Sequence, residues 1–159
     1  MSTTATKKIT VEPKWNQTQV HEATVAAMAN NWLAAYSVLG KFGEQAIKEF
    51  EEASRTRKIE YYKRQGVKTP IDLVKVIAEF EANVFGSKIE IEGDDKNATL
   101  TYNSCAMWNA MKKYGHFTPE QEEKMGHCFG SYIEHLAKEF GFKGNVEFKG
   151  DVGVMHFSK

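Results

Sequence analysis

The sequence predicts an α+β fold in which five helices pack on a small antiparallel sheet of about four strands. Three stretches with helical spacing of apolar residues come first, and the pattern changes to alternation after Gly86. Two more helical stretches follow that hairpin, and a second pair of short strands comes after them. This order, three helices, a hairpin, two helices and a hairpin, is typical of an α+β domain.

The three N-terminal helices are predicted from their apolar stripes and their end signals. The first covers residues 18–39 and the second 44–65, with Gly40 and Gly43 in the turn between them. The third starts at Thr69, a hydroxyl cap that precedes proline at the first helical position. Residues 1–17 have no period and are predicted to be a flexible tail, which leaves residues 18–159 as a single domain.

The remaining elements are two hairpins that flank two helices. Residues 88–92 alternate between charged and apolar side chains, residues 93–97 have turn chemistry, and residues 98–103 form the second strand. A short helix is predicted over residues 105–114. A longer one opens at Thr118 with a capping box and ends near residue 140. Residues 146–148 and 152–157 are predicted to be the last two strands.

Composition excludes several classes of protein. The chain has 159 residues, with 21 Lys+Arg against 21 Asp+Glu, and this balance argues against a nucleic-acid binder. No apolar run reaches the roughly 18 residues that a membrane helix needs, and the first ten residues lack the apolar segment of a signal peptide. Two cysteines cannot form a disulfide framework, so a cytoplasmic protein with free thiols is expected.

Motifs for metal or cofactor binding are also missing from the sequence. It contains no CxxC, no HExxH and no glycine-rich phosphate loop, so neither a metal nor a cofactor is predicted. Zero net charge weakens repulsion between copies, and a homodimer is therefore expected.

Two charged residues interrupt apolar stripes of the predicted helices. Arg57 lies in the stripe of the second helix, and Glu81 lies in that of the third. Burying a charge is costly, so each needs a partner or a task. Arg57 could hold a carboxylate and Glu81 could transfer protons, or the two could form a structural ion pair with each other.

Cys105 stands where a strand ends and a helix begins, directly after Ser104 as the expected N-cap. The positive end of the helix dipole would lower the pKa of a thiol there, as a nucleophile requires. The alternative is a small buried packing residue. Trp108 and Asn109 share its side of the helix, whereas Cys128 in the middle of a helix is expected to be inert or a pocket wall.

The histidines give weaker signals. His21 heads the buried stripe of the first helix, where a histidine is usually a packed core residue. His127 points away from the stripe of its helix and is predicted to be exposed. His135 lies at the edge of that stripe, and His156 lies in the last strand, where the pattern does not say which face is buried.

Several short motifs resemble the bacterial L-2-amino-thiazoline-4-carboxylate hydrolase family, and more loosely the 4-vinyl reductase-type ligand-binding domains. They are Trp32, Tyr36, residues 40–43 (GKFG), Cys105 after a strand, Cys128, residues 148–151 (FKGD) and residues 154–157 (VMHF). Two departures stand out. Ala106 replaces the proline that usually follows the first cysteine, and the third cysteine expected near Gly153 is absent.

The resemblance implies a hydrolase that opens a C–N or C–S bond of a small cyclic amidine or thiazoline. Cys105 would attack the electrophilic carbon or position water on it, and the candidate proton carriers are Glu81, His135 and His156. The other side chains expected in the pocket are Arg57 on the carboxylate, with Trp32, Tyr36, Trp108, Asn109, Cys128 and His21 around the substrate. The looser relatives imply the alternative, a non-catalytic pocket of a sensor or carrier.

Overall fold

The chain forms five α-helices and one four-stranded antiparallel sheet in the computed structural model, which describes residues 12–159. The helices are α1 (Gln17–Leu39), α2 (Glu44–Arg64), α3 (Pro70–Phe80), α4 (Ala106–Gly115) and α5 (Pro119–Glu139). The strands are β1 (Lys88–Gly93), β2 (Asn97–Ser104), β3 (Lys143–Lys149) and β4 (Val152–Ser158). The predicted α+β fold is confirmed. Most of the predicted tail, residues 1–11, lies outside the described residues, and α1 already begins at Gln17.

Capping boxes fix the starts of three helices. Asn16 caps α1, Thr69 caps α3 and Thr118 caps α5, and in each the residue three positions later returns a hydrogen bond to the backbone of the cap. The caps at Thr69 and Thr118 are those that the sequence predicts. Each box satisfies backbone N–H groups that a helix start otherwise leaves without partners.

Replacing the α3 cap, Thr69→Ala, is expected to lower the free energy of unfolding by about 1 kcal/mol. The Thr69 hydroxyl lies 3.3 Å from the Asp72 backbone nitrogen and donates to the Asp72 carboxylate at 2.8 Å. Urea unfolding measures the loss. Thr56→Ala, at an exposed position on α2, is the control and should not lower the free energy of unfolding. Equal losses of stability in both variants would contradict a capping effect.

The sheet has the strand order β1-β2-β4-β3, so β2 and β4 are central. Its inner face is covered by helices, and there Leu100 and Met155 are fully buried and paired in register. The outer face carries partly exposed Thr99 and His156, also paired with each other. Strand β3 begins at Lys143, three residues earlier than predicted, because Lys143 pairs with Ser158.

Two groups of buried apolar residues hold the helices in place. The larger lies between the sheet and α2, α3 and α5. The smaller joins α1, α4 and the turn after α3 through Val25, Ala29, Phe85, Ala110 and Met111. None of the helices that residues 12–159 form has the length and the apolar composition needed to cross a membrane.

The chain continues from α3 into a π-helical turn over Glu81–Phe85, which the sequence analysis did not predict. The wider turn shifts the direction of successive side chains and buries both Glu81 and Phe85. Gly86 ends it in the left-handed conformation, with φ of 73°. Such π-helical turns often occur at functional sites. This one brings a carboxylate into the interior of the protein.

Candidate functional site

Six polar or thiol side chains meet where α2, the π-helical turn, β2 and α5 come together. We name this group the interior cluster; its members are Lys58, Tyr62, Glu81, Tyr102, Cys105 and Tyr132. At its centre the Lys58 ammonium lies 3.2 Å from the Glu81 carboxylate. Glu81 is only 5% exposed, and a buried carboxylate requires such a partner.

Local structure places each member of the interior cluster. Lys58 and Tyr62 are four residues apart on α2 and therefore share a face. Tyr102 lies on the inner face of β2, and Tyr132 projects from α5. Cys105 follows β2 immediately and packs against the main core. Five separate segments thus supply polar groups to one interior location, which marks it as a candidate site.

Lys58 is one point at which the interior cluster reaches solvent, and Cys105 and Tyr132 are also partly exposed. Its side chain is 37% exposed, whereas that of Glu81 is 6% exposed. Burial opposes the ammonium charge, but the neighbouring Glu81 carboxylate, which accepts a hydrogen bond from it, outweighs burial and raises the pKa of Lys58. Lys58 therefore stays positively charged over the whole physiological range.

The three tyrosines of the interior cluster are neutral phenols. Burial raises the pKa of Tyr62, Tyr102 and Tyr132 above the ordinary value for a phenol. The Tyr132 hydroxyl is buried, and no group within the described residues accepts or donates a hydrogen bond to it. A buried hydroxyl without a partner costs about 1–3 kcal/mol, so this group is available to a bound molecule.

A second polar chain lies beside the interior cluster. The Tyr36 hydroxyl donates to Glu51 at 2.9 Å, and Glu51 pairs with Arg55 at 3.2 Å. The Arg55 guanidinium stacks 5.5 Å from the centre of the Tyr132 ring and also donates to the Cys128 carbonyl at 3.4 Å. Tyr132 is thereby close to two cations of α2, Arg55 and Lys58, that are three residues apart.

Cys105 belongs to the interior cluster, but its thiol is not activated as predicted. It is itself the N-cap of α4, in place of Ser104, and its sulfur accepts a hydrogen bond from the Trp108 backbone at 3.4 Å. Burial raises the pKa of the Cys105 thiol to about 11, against the smaller opposite effect of that hydrogen bond. The expected low pKa was wrong because loss of solvation outweighs the dipole of a short helix.

Alkylation at neutral pH should therefore modify Cys105 slowly in the native protein. A pKa near 11 leaves about one thiolate in 10⁴ at pH 7, because each pH unit is a factor of ten. Peptide mass spectrometry after iodoacetamide treatment measures the rate, and the urea-unfolded chain is the control, in which Cys105 should react at the rate of an ordinary thiol. Rapid native modification of Cys105 would contradict the raised pKa.

The cation at the site is Lys58, and the expectation that Arg57 occupies the buried stripe of α2 was wrong. Arg57 is exposed and lies in an open groove with Glu49, Glu52 and Glu60. Side chains of adjacent helix residues point about 100° apart. Placing the buried face one residue too early therefore assigns Arg57 to the interior instead of Lys58. Glu81 is buried as predicted, and its partner is Lys58.

The predicted histidines lie outside the interior cluster. His21 packs against Gly86, and its Nε2 lies 2.9 Å from the Asn83 carbonyl, which fits a structural role between α1 and the π-helical turn. His135 is exposed on α5. His156 lies on the outer face of the sheet, where its Nδ1 is 3.3 Å from the Thr99 hydroxyl. His127 is exposed, as predicted.

The predicted aromatic walls are divided between two places. Trp32 packs against Tyr36 and Phe50 at the contact of α1 and α2, with ring centres 5.6 and 5.1 Å away. Trp108 stacks on Phe117, in the smaller core. Asn109 is exposed and bonds to the Ser104 hydroxyl. Of the residues predicted for the site, the structure brings Glu81 and Cys105 into the interior cluster, and Tyr36 and Cys128 belong to the second polar chain that runs through Arg55.

Two open concavities lie elsewhere on the surface. One, of about 660 Å³, lies at the end of the sheet and includes Glu92, Thr99, Lys143 and His156. The other, of about 630 Å³, is the groove that includes Arg57. Neither is lined by a member of the interior cluster. Both are open to solvent.

Metal ligation has no geometric basis in the described part of the chain. Over residues 12–159, no three His, Cys, Asp or Glu side chains are placed to hold one ion. Comparison with known proteins finds no family model and no curated protein that matches this chain. Function must therefore be argued from the interior cluster itself.

Proposed function

We propose that the protein is a non-catalytic small-ligand-binding domain, a sensor or a carrier, whose ligand carries a carboxylate or a similar acceptor group. The observation that carries the proposal is the buried Tyr132 hydroxyl without a partner, close to the cations Arg55 and Lys58. A phenol donor and nearby positive charges together favour a negatively charged acceptor.

The surroundings of Lys58 suit a small amphipathic ligand. Phe80 lies 5.8 Å from the Lys58 ammonium, and its ring packs on Tyr61 and Phe85. Lys58 is partly open to solvent, so it marks the entrance, and the apolar part of a ligand would contact these rings. A pocket with apolar walls and few polar anchors is the usual form of a small-molecule site.

The test is calorimetric titration with a panel of small carboxylates, including 2-amino-thiazoline-4-carboxylate. Tyr132→Phe removes only the hydroxyl and should weaken binding about 10- to 100-fold, the value of a hydrogen bond to a charged group. Tyr114→Phe, at an exposed position, is the matched control. Unchanged affinity in Tyr132→Phe, or no binding by any member of the panel, would overturn the proposal.

The same variant has a second expected effect on the unliganded protein. Tyr132→Phe should raise the free energy of unfolding by about 1 kcal/mol, because it removes a buried hydroxyl that has no partner. Urea unfolding without ligand measures the change. A loss of stability would mean that the hydroxyl already has a partner such as bound water, and would remove the reason for placing a ligand there.

A hydrolase is the second proposal, and the proximity of Cys105 to Glu81 favours it. In this mechanism the Cys105 thiol would add across the C=N bond of the thiazoline or amidine, and its proton would pass through the Glu81 carboxylate to the nitrogen. Water would then replace the Cys105 sulfur at that carbon and restore the thiol. Cleavage of a ring C–N or C–S bond, with a proton going to the leaving atom, would open the ring. Chromatography of 2-amino-thiazoline-4-carboxylate incubated with the protein would detect ring opening. Cys105→Ser should abolish turnover while Cys128→Ser retains it; absence of turnover in the unmodified protein leaves the binding domain as the function.

A further inference from the structure

Helix α1 is nearly uncharged, although it lies on the surface. From residue 23 to its end at residue 39 it contains no Asp, Glu, Lys, Arg or His, whereas 26% of the whole chain is charged. One side of the helix, with Val25 and Ala29, is buried against α4 and the π-helical turn. The opposite side is open in the described structure. Depletion of charge is typical of the centre of a protein–protein interface rather than of free surface.

The open side of α1 carries a regular stripe, which we name the outer stripe. Its members are Val20, Thr24, Ala27, Asn31, Ala34 and Val38, spaced by four and three residues in turn. All of them are exposed except Thr24, which is partly exposed. Spacing of four and three on one helix face is the pattern by which two helices pack along their length. Two large apolar residues continue the exposed surface at its ends, Trp15 with 66% and Phe42 with 75% exposure.

The ends of the outer stripe are symmetric about Asn31, whereas its inner members Ala27 and Ala34 are not each other's counterparts. Counting outwards from Asn31 by equal steps, Thr24 corresponds to Val38, and Val20 corresponds to Phe42. If a second α1 lies antiparallel with Asn31 at the two-fold axis, Thr24 therefore meets Val38, Ala27 meets Ala35, and Asn31 meets its own copy. An asparagine amide has both donors and an acceptor, so two such side chains can bond reciprocally.

The available area is close to what a stable dimer needs. A helix of 23 residues is about 34 Å long and about 10 Å wide, which gives its open side a footprint of about 340 Å². The exposed parts of Trp15 and Phe42 add about 300 Å². The total approaches the roughly 800 Å² per partner of standard interfaces.

We propose that the outer stripe of α1 is a homodimer interface, formed with α1 of a second copy in antiparallel orientation. Antiparallel packing places opposite ends of the two helix dipoles side by side, which favours this orientation over the parallel one. The zero net charge of the chain removes general repulsion between the copies. This interface is independent of the interior cluster and of its proposed ligand.

Light scattering after size-exclusion chromatography tests the interface. The protein should elute as a particle of twice 18.0 kDa at micromolar concentration. Val38→Glu, at a position 52% exposed, should shift it to a monomer without loss of helical circular dichroism, because it buries a charge at the contact. Ser131→Glu, on the exposed side of α5, is the matched control and should remain dimeric.

Disulfide trapping tests the orientation. An equimolar mixture of Thr24→Cys and Val38→Cys variants should form the mixed disulfide on mild oxidation, identified by peptide mass spectrometry. Either variant alone should form none at that position, because the like cysteines are then about 20 Å apart. Trapping by either variant alone would indicate a parallel pair and overturn the proposal.

Two further outcomes would also overturn the proposal. One is an 18 kDa monomer at high concentration. If that monomer binds phosphatidylcholine vesicles through α1, the occupant of the outer stripe is a lipid surface and not a second copy. The other is a dimer that Val38→Glu does not dissociate, because the contact would then lie elsewhere.

Discussion

Replacing Lys58 with methionine is expected to lower the free energy of unfolding by about 3 kcal/mol, or more than 100-fold in the folding equilibrium. Most of this cost comes from Glu81, which is 5% exposed and would lose its only ionic partner within the described residues. Urea unfolding measures the change. Arg57→Met is the matched control, since that neighbouring cation is exposed, and its effect should stay within about 0.5 kcal/mol.

A double variant separates the ion pair from packing of the lysine stem. Lys58→Met combined with Glu81→Leu leaves no buried charge, and it should recover most of the stability that Lys58→Met loses. If the double variant does not recover stability, the loss in Lys58→Met comes from packing of Lys58 against Phe80 and not from an unpaired carboxylate. If Lys58→Met lowers the free energy of unfolding by less than about 1 kcal/mol, the Lys58–Glu81 ion pair does not hold the interior cluster together.

Alkaline pH is expected to destabilise the protein through the interior cluster. The pKa of the Cys105 thiol is about 11 in the folded protein against an ordinary value of 9.0, so the unfolded chain releases this proton first. The stabilisation is complete below pH 9 and is lost as the pH rises towards 11, by about 3 kcal/mol for this group alone. Tyr62, Tyr102 and Tyr132 act in the same direction at higher pH, because burial raises their pKa values too.

Urea unfolding at pH 7.5, 9 and 11 measures this effect, and tyrosinate absorbance shows when the phenols ionise. The three buried tyrosines should ionise together with unfolding rather than before it. Cys105→Ala carries no ionisable group at that position, so its stability should fall less steeply between pH 9 and 11. Equal slopes for Cys105→Ala and the unmodified protein would contradict the assignment to Cys105.

The sequence predicts the elements of the fold well because their signals are local. The period of the apolar residues, the caps at Thr69 and Thr118, and the turn at residues 93–97 each depend on a few adjacent positions. The strand order is different, since pairing of β2 with β4 joins segments separated by two helices and another strand. No local pattern encodes that pairing.

The candidate site was only half predictable. Glu81 stood out because a carboxylate interrupts an apolar stripe, and it is buried. The sequence pattern assigned the buried cation to Arg57, one residue before Lys58. The apolar residues Ile59 and Tyr62, which are both buried, indicate the correct face of α2. The pKa of Cys105 was predicted in the wrong direction because desolvation depends on tertiary packing.

The central position of β4 affects how the chain folds during its synthesis. Between the end of β2 and the start of β4 lie about 50 residues, and a ribosome needs about 2 to 10 s to add them. Throughout that interval the edge of β2 that will receive β4 has no partner, and it carries the apolar residues Ala98, Leu100 and Tyr102. Unpaired apolar edges invite association with other chains. The nascent protein therefore exposes an unpaired apolar edge for seconds, and faster elongation through residues 105–151 should increase its soluble yield.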